Sequence, residues 1–199
     1  MALLDGKVAI ITGASKGIGR ALSLRFAQEK AAVVCAARSA DLVRETAELV
    51  GKAGGRAIAV TCDAAKEDDV RRMIAAGLEA FGKITTLINN AGDGGPTKPV
   101  QDYTMDDWMY TIHSCLTSSY VCTRFAVPEM IKAGGGSIVN ISSGAGLAIS
   151  VYKNLVVFGE YRFTHVAHDF AIRDINALKA TLRTDLDSHT GLVGLGARW

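Results

Sequence analysis

The sequence predicts an α/β fold, a doubly wound parallel sheet that is truncated or altered after its fifth strand. Two observations carry this reading. Five short apolar runs, KVAIITG, AAVVCAAR, RAIAVTCD, ITTLINN and GSIVNISS, recur between residues 7 and 143, and longer stretches with helical spacing of apolar residues separate them. Each run is apolar on consecutive residues, which suits strands covered on both faces. Strands alternating with helices imply right-handed crossovers, and these place helices on both faces of a parallel sheet.

In chain order, strands are expected at residues 7–13, 31–38, 56–63, 84–90 and 136–143, and amphipathic helices at 17–30, 40–53, 67–81 and 105–132. After residue 150 the pattern changes. LVVF and YRFTHV around Gly159 suggest a short hairpin, and residues 169–187 place Ile172, Ile175, Leu178, Leu182 and Leu186 at helical spacing. The final SHTGLVGLGARW has three glycines and no period, and reads as a loop or frayed tail.

At 199 residues the chain suffices for one domain with a substantial core, and no Pro-rich or Ser-rich linker divides it. A net charge of +2, with no clustering of lysine and arginine among aromatics, argues against a nucleic-acid partner. No apolar run approaches membrane-spanning length, and MALLDGKVAI has no basic leader, so neither a membrane span nor a secretory signal is expected. Cys35, Cys62, Cys115 and Cys122 lie in apolar stretches without CxxC spacing or neighbouring histidines. They read as buried free thiols in a reducing compartment, the cytoplasm. His165, His168 and His189 lack metal-ligand spacing, so no metal site is expected.

The chemistry-bearing motifs sit at strand ends. TGASKGIG follows the first strand at residues 12–19. Gly13 allows a tight turn, Gly17 lets backbone approach a pyrophosphate, and Gly19 lets the next helix pack close to the strand. The helix N-terminus then offers free amides to phosphate. The fifth strand, in GSIVNISSGAG, delivers Ser142 and Ser143 to the end of the sheet, where one hydroxyl can meet a substrate.

With TGxxxGxG spacing, NNAG at 89–92 after the fourth strand and SIVNISS at the fifth, the chain resembles the short-chain dehydrogenase/reductase family over residues 5 to about 150. The resemblance implies a Rossmann-like dinucleotide-binding region at residues 1–150, with 151–199 a divergent C-terminal segment of the same domain. It implies that Gly13, Ser15, Lys16, Gly17, Ile18 and Gly19 wrap the cofactor's phosphates. Asp63 would contact adenine with Ala64 beside it, and Asn90, Ala91 and Gly92 would line the ribose and nicotinamide side. Asn89 and Asn90 also read as strand-end caps.

Cofactor choice follows from charge. An acid at the end of the second strand would bind the adenosine ribose hydroxyls and repel a 2′-phosphate. Here that strand ends in Ala37 and Arg38, and Lys16 adds a second positive charge in the glycine loop. NADP(H) is therefore favoured over NAD(H).

In the family the serine after the fifth strand works with a YxxxK tyrosine and lysine one helical turn apart. By resemblance Ser143 would hold the substrate oxygen, the tyrosine would pass the proton, and the lysine would lower its pKa. Where that tyrosine belongs, residues 155–157 are Leu, Val and Val. Tyr152 lies close to Ser143 and has Val156 four residues on. Tyr161 has His165, whose neutral imidazole is a poor substitute for a fixed ammonium. Tyr161 is the remaining candidate proton donor.

Two further departures accompany this. Cys115 stands where the family has an asparagine that anchors a relay water, and no proline follows Pro128 to form the family's later Pro-Gly turn. Three readings stay open. One is an NADP(H)-dependent oxidoreductase acting on a small-molecule carbonyl or alcohol. A second is a catalytically silent NADP(H)-binding module. The third is a truncated fragment whose fifth strand is an exposed edge unless the C-terminal segment covers it. Relatives pair through helices flanking the fifth strand, so a homo-oligomer is compatible with the helix at 105–132.

Overall fold

A computed structural model describes residues 2–98 and 100–141, together with strand backbone at 147–152, 155–163, 185–186 and 189–197. The five expected strands are β1 (Val8–Thr12), β2 (Ala32–Ala37), β3 (Arg56–Thr61), β4 (Thr86–Asn89) and β5 (Ser137–Asn140). All pair in parallel, in the order β3-β2-β1-β4-β5. The crossovers are α1 (Gly17–Gln28), α2 (Ala40–Lys52) and α3 (Glu67–Phe81), followed by α4 (Met105–Ile112) and α5 (Ser118–Lys132) before β5.

The alternation of side chains along β1 and β2 builds two cores, one on each face. Val8 and Ile10, with Val34 of β2, pack against Val70 and Met73 of α3 and against Cys122 and Ala126 of α5. Ile11, with Val33 and Cys35, packs against Ala27 of α1 and Val43 and Val50 of α2. Ile10 and Ile11 are both fully buried, and each such side chain contributes roughly 2 kcal/mol of hydrophobic stabilisation. The doubly wound fold is thus written into consecutive apolar residues. At β3, a sheet edge, this rule gives way: Arg56, Ala59 and Thr61 are exposed.

The long helix expected at 105–132 is divided. Between α4 and α5 lies one π-helical turn, His113–Thr117. Its sequence is rich in short hydroxyl side chains that bond back to carbonyls three and four residues earlier: Ser114 to Thr111, Ser118 to Ser114 and Ser119 to Cys115. Such bonds compete with backbone N–H groups for the same acceptors, and widening of the turn accommodates them.

Beyond β5 the sheet reverses direction. β6 (Leu147–Tyr152) runs antiparallel to β5, β7 (Leu155–Phe163) antiparallel to β6, and β9 (His189–Ala197) lies between β7 and the short β8 (Asp185–Leu186). Three expectations change. Gly159 is interior to β7, opposite Leu147 and Val193, and the hairpin instead joins β6 to β7, with Tyr152 paired to Leu155. The final segment is a strand, with Gly191, Gly194 and Gly196 paired in the ladder to Tyr161, Phe158 and Val156 of β7. At β5, left open between an exposed edge and one covered by the C-terminal segment, β6 supplies the cover. Most of the helix expected at 169–187 lies outside the described residues, and its described part, Asp185–Leu186, is strand.

Candidate functional site

Two cavities mark opposite ends of the parallel sheet. A cavity of about 370 Å³ lies where β1 and β2 begin, beside Lys7, Ala32 and Arg56. A larger one, about 630 Å³, lies where β1, β2 and β4 end. Ligands of open α/β sheets bind outside the carboxyl ends of the strands, so the larger cavity is the candidate site.

Its floor is the loop from β1 into α1. Gly13 has φ +66, and a Cβ there would come within 2.9 Å of Asn90 Nδ2. Gly19 would place a Cβ 2.2 Å from the Gly13 carbonyl oxygen, so α1 can approach β1 only with glycine at this position. Gly17 differs: at φ +55, a Cβ there would have nothing within 4 Å, so its backbone faces open cavity. No side chain caps α1 and its first turn holds no acid, which leaves its N–H groups and its positive dipole end turned toward that space. Arg20 steadies the loop by donating to the Ser15 carbonyl at 2.8 Å while pairing with Glu45 of α2 at 2.9 Å.

The loop is tied to the end of β4. The buried Thr12 hydroxyl accepts the backbone N–H groups of Asn90 and Ala91, both at 3.0 Å, and donates to the Ile88 carbonyl at 3.2 Å. The Asn90 amide donates to the Thr12 carbonyl at 3.0 Å and the Gly13 carbonyl at 3.3 Å. Asn89, also buried, joins β4 to β5 by donating to Asn140 Oδ1 at 2.8 Å and to Thr123 of α5 at 3.1 Å. Both asparagines thus brace strand ends.

Of the expected cofactor residues, Gly13, Ser15, Lys16, Gly17 and Ile18 line the cavity from the loop, Arg38, Asp63 and Ala64 from the ends of β2 and β3, and Asn90, Ala91 and Gly92 from β4. Gly19 is absent from the lining and serves packing, as its contacts show. Asp63 also shapes the turn into α3: its carboxylate accepts the Ala65 N–H at 3.1 Å, and its own N–H donates to Asp69 at 2.8 Å. That N–H, followed by Arg72, holds Asp69 below the usual carboxylate range.

Sequence reasoning missed the wall facing Arg38. The Arg38 guanidinium lies 3.4 Å from Asp93 Oδ2 and 3.4 Å from the Tyr110 hydroxyl, which itself donates to Asp93 at 2.7 Å. The Tyr110 hydroxyl, the Gly95 N–H and Arg38 together keep Asp93 below the ordinary carboxylate range. The π-helical turn holds this wall in place, with Ser114 donating to the Asp93 carbonyl at 2.8 Å. The adjacent Cys115, expected to be buried, is exposed and contacts the same carbonyl at 3.5 Å. The other three cysteines are buried as expected, and burial pushes the Cys62 and Cys122 thiols up to about 12.

Ser142, Ser143 and His165 lie outside the described residues. Tyr161 falls in the backbone of β7. Asn140, Ala148 and Phe158 share one row across β5, β6 and β7, and β7 runs in the sense of β5. Tyr161 therefore stands three residues beyond that row, about 10 Å further toward the edge where the parallel strands end. Among the described residues no group of histidine, cysteine and acidic side chains could hold a metal ion, and no helix is long and apolar enough to cross a membrane.

Comparison with known proteins places this geometry. The family model described as short chain dehydrogenase matches residues 7–154. The chain is 37% identical over 147 residues to 3beta-hydroxysteroid dehydrogenase of Mediterraneibacter gnavus, covering 74% of this chain and 53% of that protein. It is 38% identical over 213 aligned positions to 7alpha-hydroxysteroid dehydrogenase of Escherichia coli K12, covering 97% of this chain and 83% of the relative. A solved 7α-hydroxysteroid dehydrogenase, complexed with NADH and 7-oxo glycochenodeoxycholic acid, superposes with a TM-score of 0.67 at 38% identity, over 70% of this chain and 54% of that one. The chain thus spans about half the length of several proteins it matches.

Proposed function

This chain belongs to the short-chain dehydrogenase family, and from that premise we propose that it binds NADP(H), in preference to NAD(H), in the cavity at the ends of β1, β2 and β4. The observation that carries the reading is the convergence of the glycine loop, Lys16 and Arg38 on that one cavity. The residues fit a dinucleotide: Gly17 leaves a cradle that a Cβ would fill, and the uncapped start of α1 offers N–H groups to phosphate. Lys16 and Arg38 supply the charge that suits a 2′-phosphate, and β2 ends without the acid that would repel it. The related 7α-hydroxysteroid dehydrogenase was solved with NADH, so the preference rests on this chain's own residues.

When bound, the nicotinamide would supply or accept a hydride for interconversion of a small-molecule carbonyl and alcohol. Ser143 is the anchor for the substrate oxygen, and Tyr161, at the strand-end edge of the sheet, is the proton donor of this reading. The sequence carries no YxxxK lysine, the residue that in the family assists the tyrosine, so turnover is expected to be slow or absent; general acid catalysis contributes about 10²- to 10⁴-fold. The protein then acts chiefly as an NADP(H)-binding module. Its place is the cytoplasm, and the exposed Trp108 of α4, Leu116 of the π-helical turn and Tyr120 of α5 offer a face for a homo-oligomer.

The test is titration of the 199-residue protein with NADPH and NADH, followed by fluorescence. NADPH should bind more tightly, and Arg38→Asp should weaken NADPH binding by about tenfold. Equal affinities in the parent overturn the preference. Any carbonyl reduction should vanish in Tyr161→Phe with NADPH binding unchanged, and turnover that survives both Tyr161→Phe and Tyr152→Phe overturns the assignment of the donor.

A further inference from the structure

Arg38 and Asp93 come from strands on opposite sides of β1. Arg38 directly follows β2, and Asp93 follows β4 by four residues, yet their side chains meet at 3.4 Å. Both line the cavity, so the ion pair spans its mouth above the end of β1. Tyr110, from α4, donates to the same Asp93 oxygen at 2.7 Å and touches Arg38 at 3.4 Å, which fixes the acid on its side of the opening. The Gly95 N–H donates to the other carboxylate oxygen at 3.1 Å.

We propose that Asp93, held by Tyr110, is a latch on Arg38 that competes with the 2′-phosphate of the dinucleotide and so sets how strongly this site distinguishes NADP(H) from NAD(H). The inference rests on the cofactor reading above and adds to it a specificity-determining residue on the facing wall. A guanidinium offers its charge either to the carboxylate across the mouth or to an arriving phosphate dianion. Moving toward the phosphate breaks the contacts with Asp93 and Tyr110 and leaves the carboxylate without its cation. A dinucleotide lacking the 2′-phosphate gives Arg38 no reason to move. The latch is weak enough to open, because both partners are partly solvated, with 59% and 40% of their side chains exposed. Asp93 therefore tempers the phosphate preference that Arg38 alone would impart.

The experiment is a double-mutant cycle on the full chain, reading dissociation constants for NADPH and NADH. Asp93→Asn keeps the side chain's size and removes its charge. It should tighten NADPH binding by about fivefold with NADH changed less than about twofold. Tyr110→Phe should shift NADPH in the same direction by a smaller factor. In an Arg38→Ala background the effect of Asp93→Asn on NADPH should disappear. Persistence of the full effect without Arg38 overturns the latch, since Asp93 would then act on the phosphate directly. NADPH binding that is unchanged in Asp93→Asn overturns the latch and leaves the cofactor reading standing. Failure of NADPH and NADH alike to bind both the parent and Asp93→Asn overturns both.

Discussion

The Thr12 hydroxyl accepts the backbone N–H of Asn90 at 3.0 Å while the Asn90 amide donates back to the Thr12 carbonyl at 3.0 Å, a reciprocal clasp between the ends of β1 and β4. The same hydroxyl is the partner of the Ala91 N–H. Thr12→Val keeps the shape and removes the oxygen, leaving that N–H without its acceptor. Urea unfolding should show a loss of about 2 kcal/mol, and a loss under about 0.5 kcal/mol would show that the clasp contributes little.

Two glycines of one loop should respond to alanine in opposite ways. Gly19→Ala drives a methyl into the Gly13 carbonyl and should lower stability by about 3 kcal/mol. Gly17→Ala has open space around its methyl and should lower stability by only about 1 kcal/mol, from its left-handed backbone. The Gly17 methyl does enter the cradle, so NADPH binding should weaken by roughly tenfold. Thermal unfolding beside NADPH titration separates the two effects.

Thiol reactivity should single out Cys115. At about pH 8 a disulfide reagent should label one thiol of the native protein rapidly, and Cys115→Ala should abolish that phase. Cys62 and Cys122, buried and pushed up to about 12, should react only on unfolding. Burial also raises the Cys35 thiol, against a smaller opposing effect of Ser23.

At the start of α4, Thr104 and Asp107 form a reciprocal cap, and Lys98 lies 2.6 Å from Asp107. Lys98 and then Thr104 hold the Asp107 carboxyl down to about 2. A carboxyl depressed in the folded state contributes stability above its unfolded pKa, about 4, and loses that contribution as pH falls through its folded value. Carbon-detected NMR titration should place the Asp107 midpoint at about 2 in the parent, and Lys98→Met should raise it. A midpoint unchanged in Lys98→Met would remove Lys98 as the main cause.

The parallel half of the fold is legible because consecutive apolar residues on β1 and β2 supply two cores at once, a pattern that few other arrangements satisfy. The glycine loop is legible for a local reason: Gly13, Gly17 and Gly19 act within one turn. The facing wall is not, because Arg38 meets Asp93 and Tyr110 across 55 and 72 positions of chain, and no local pattern encodes such a meeting. Asp93 immediately follows NNAG, and an acid there opposite an arginine after β2 is the available signal. Its apolar stretch misplaces Cys115 as buried, because a regular helix over 105–132 ignores the extra residue that a π-helical turn inserts. Past β5, Gly159 after LVVF suggests a turn and the glycines of GLVGLG suggest a tail, yet the ladder between β7 and β9 accommodates them inside strands.

Reversal of strand direction after β5 also changes what the sheet offers to other chains. Left bare, Ser137–Asn140 would expose the unpaired backbone of an apolar strand, a template for intermolecular pairing and fibril growth. With β6, β7 and β9 added, the outermost described strand at that end is β8, only Asp185–Leu186, carrying a negative charge. At the other end β3 presents Arg56 to solvent. Of the outermost described strands one is a mere two residues long and the other presents a charge, features that discourage a second molecule from continuing the sheet, so the protein should stay dispersed under conditions in which a chain ending at Ile141 would aggregate.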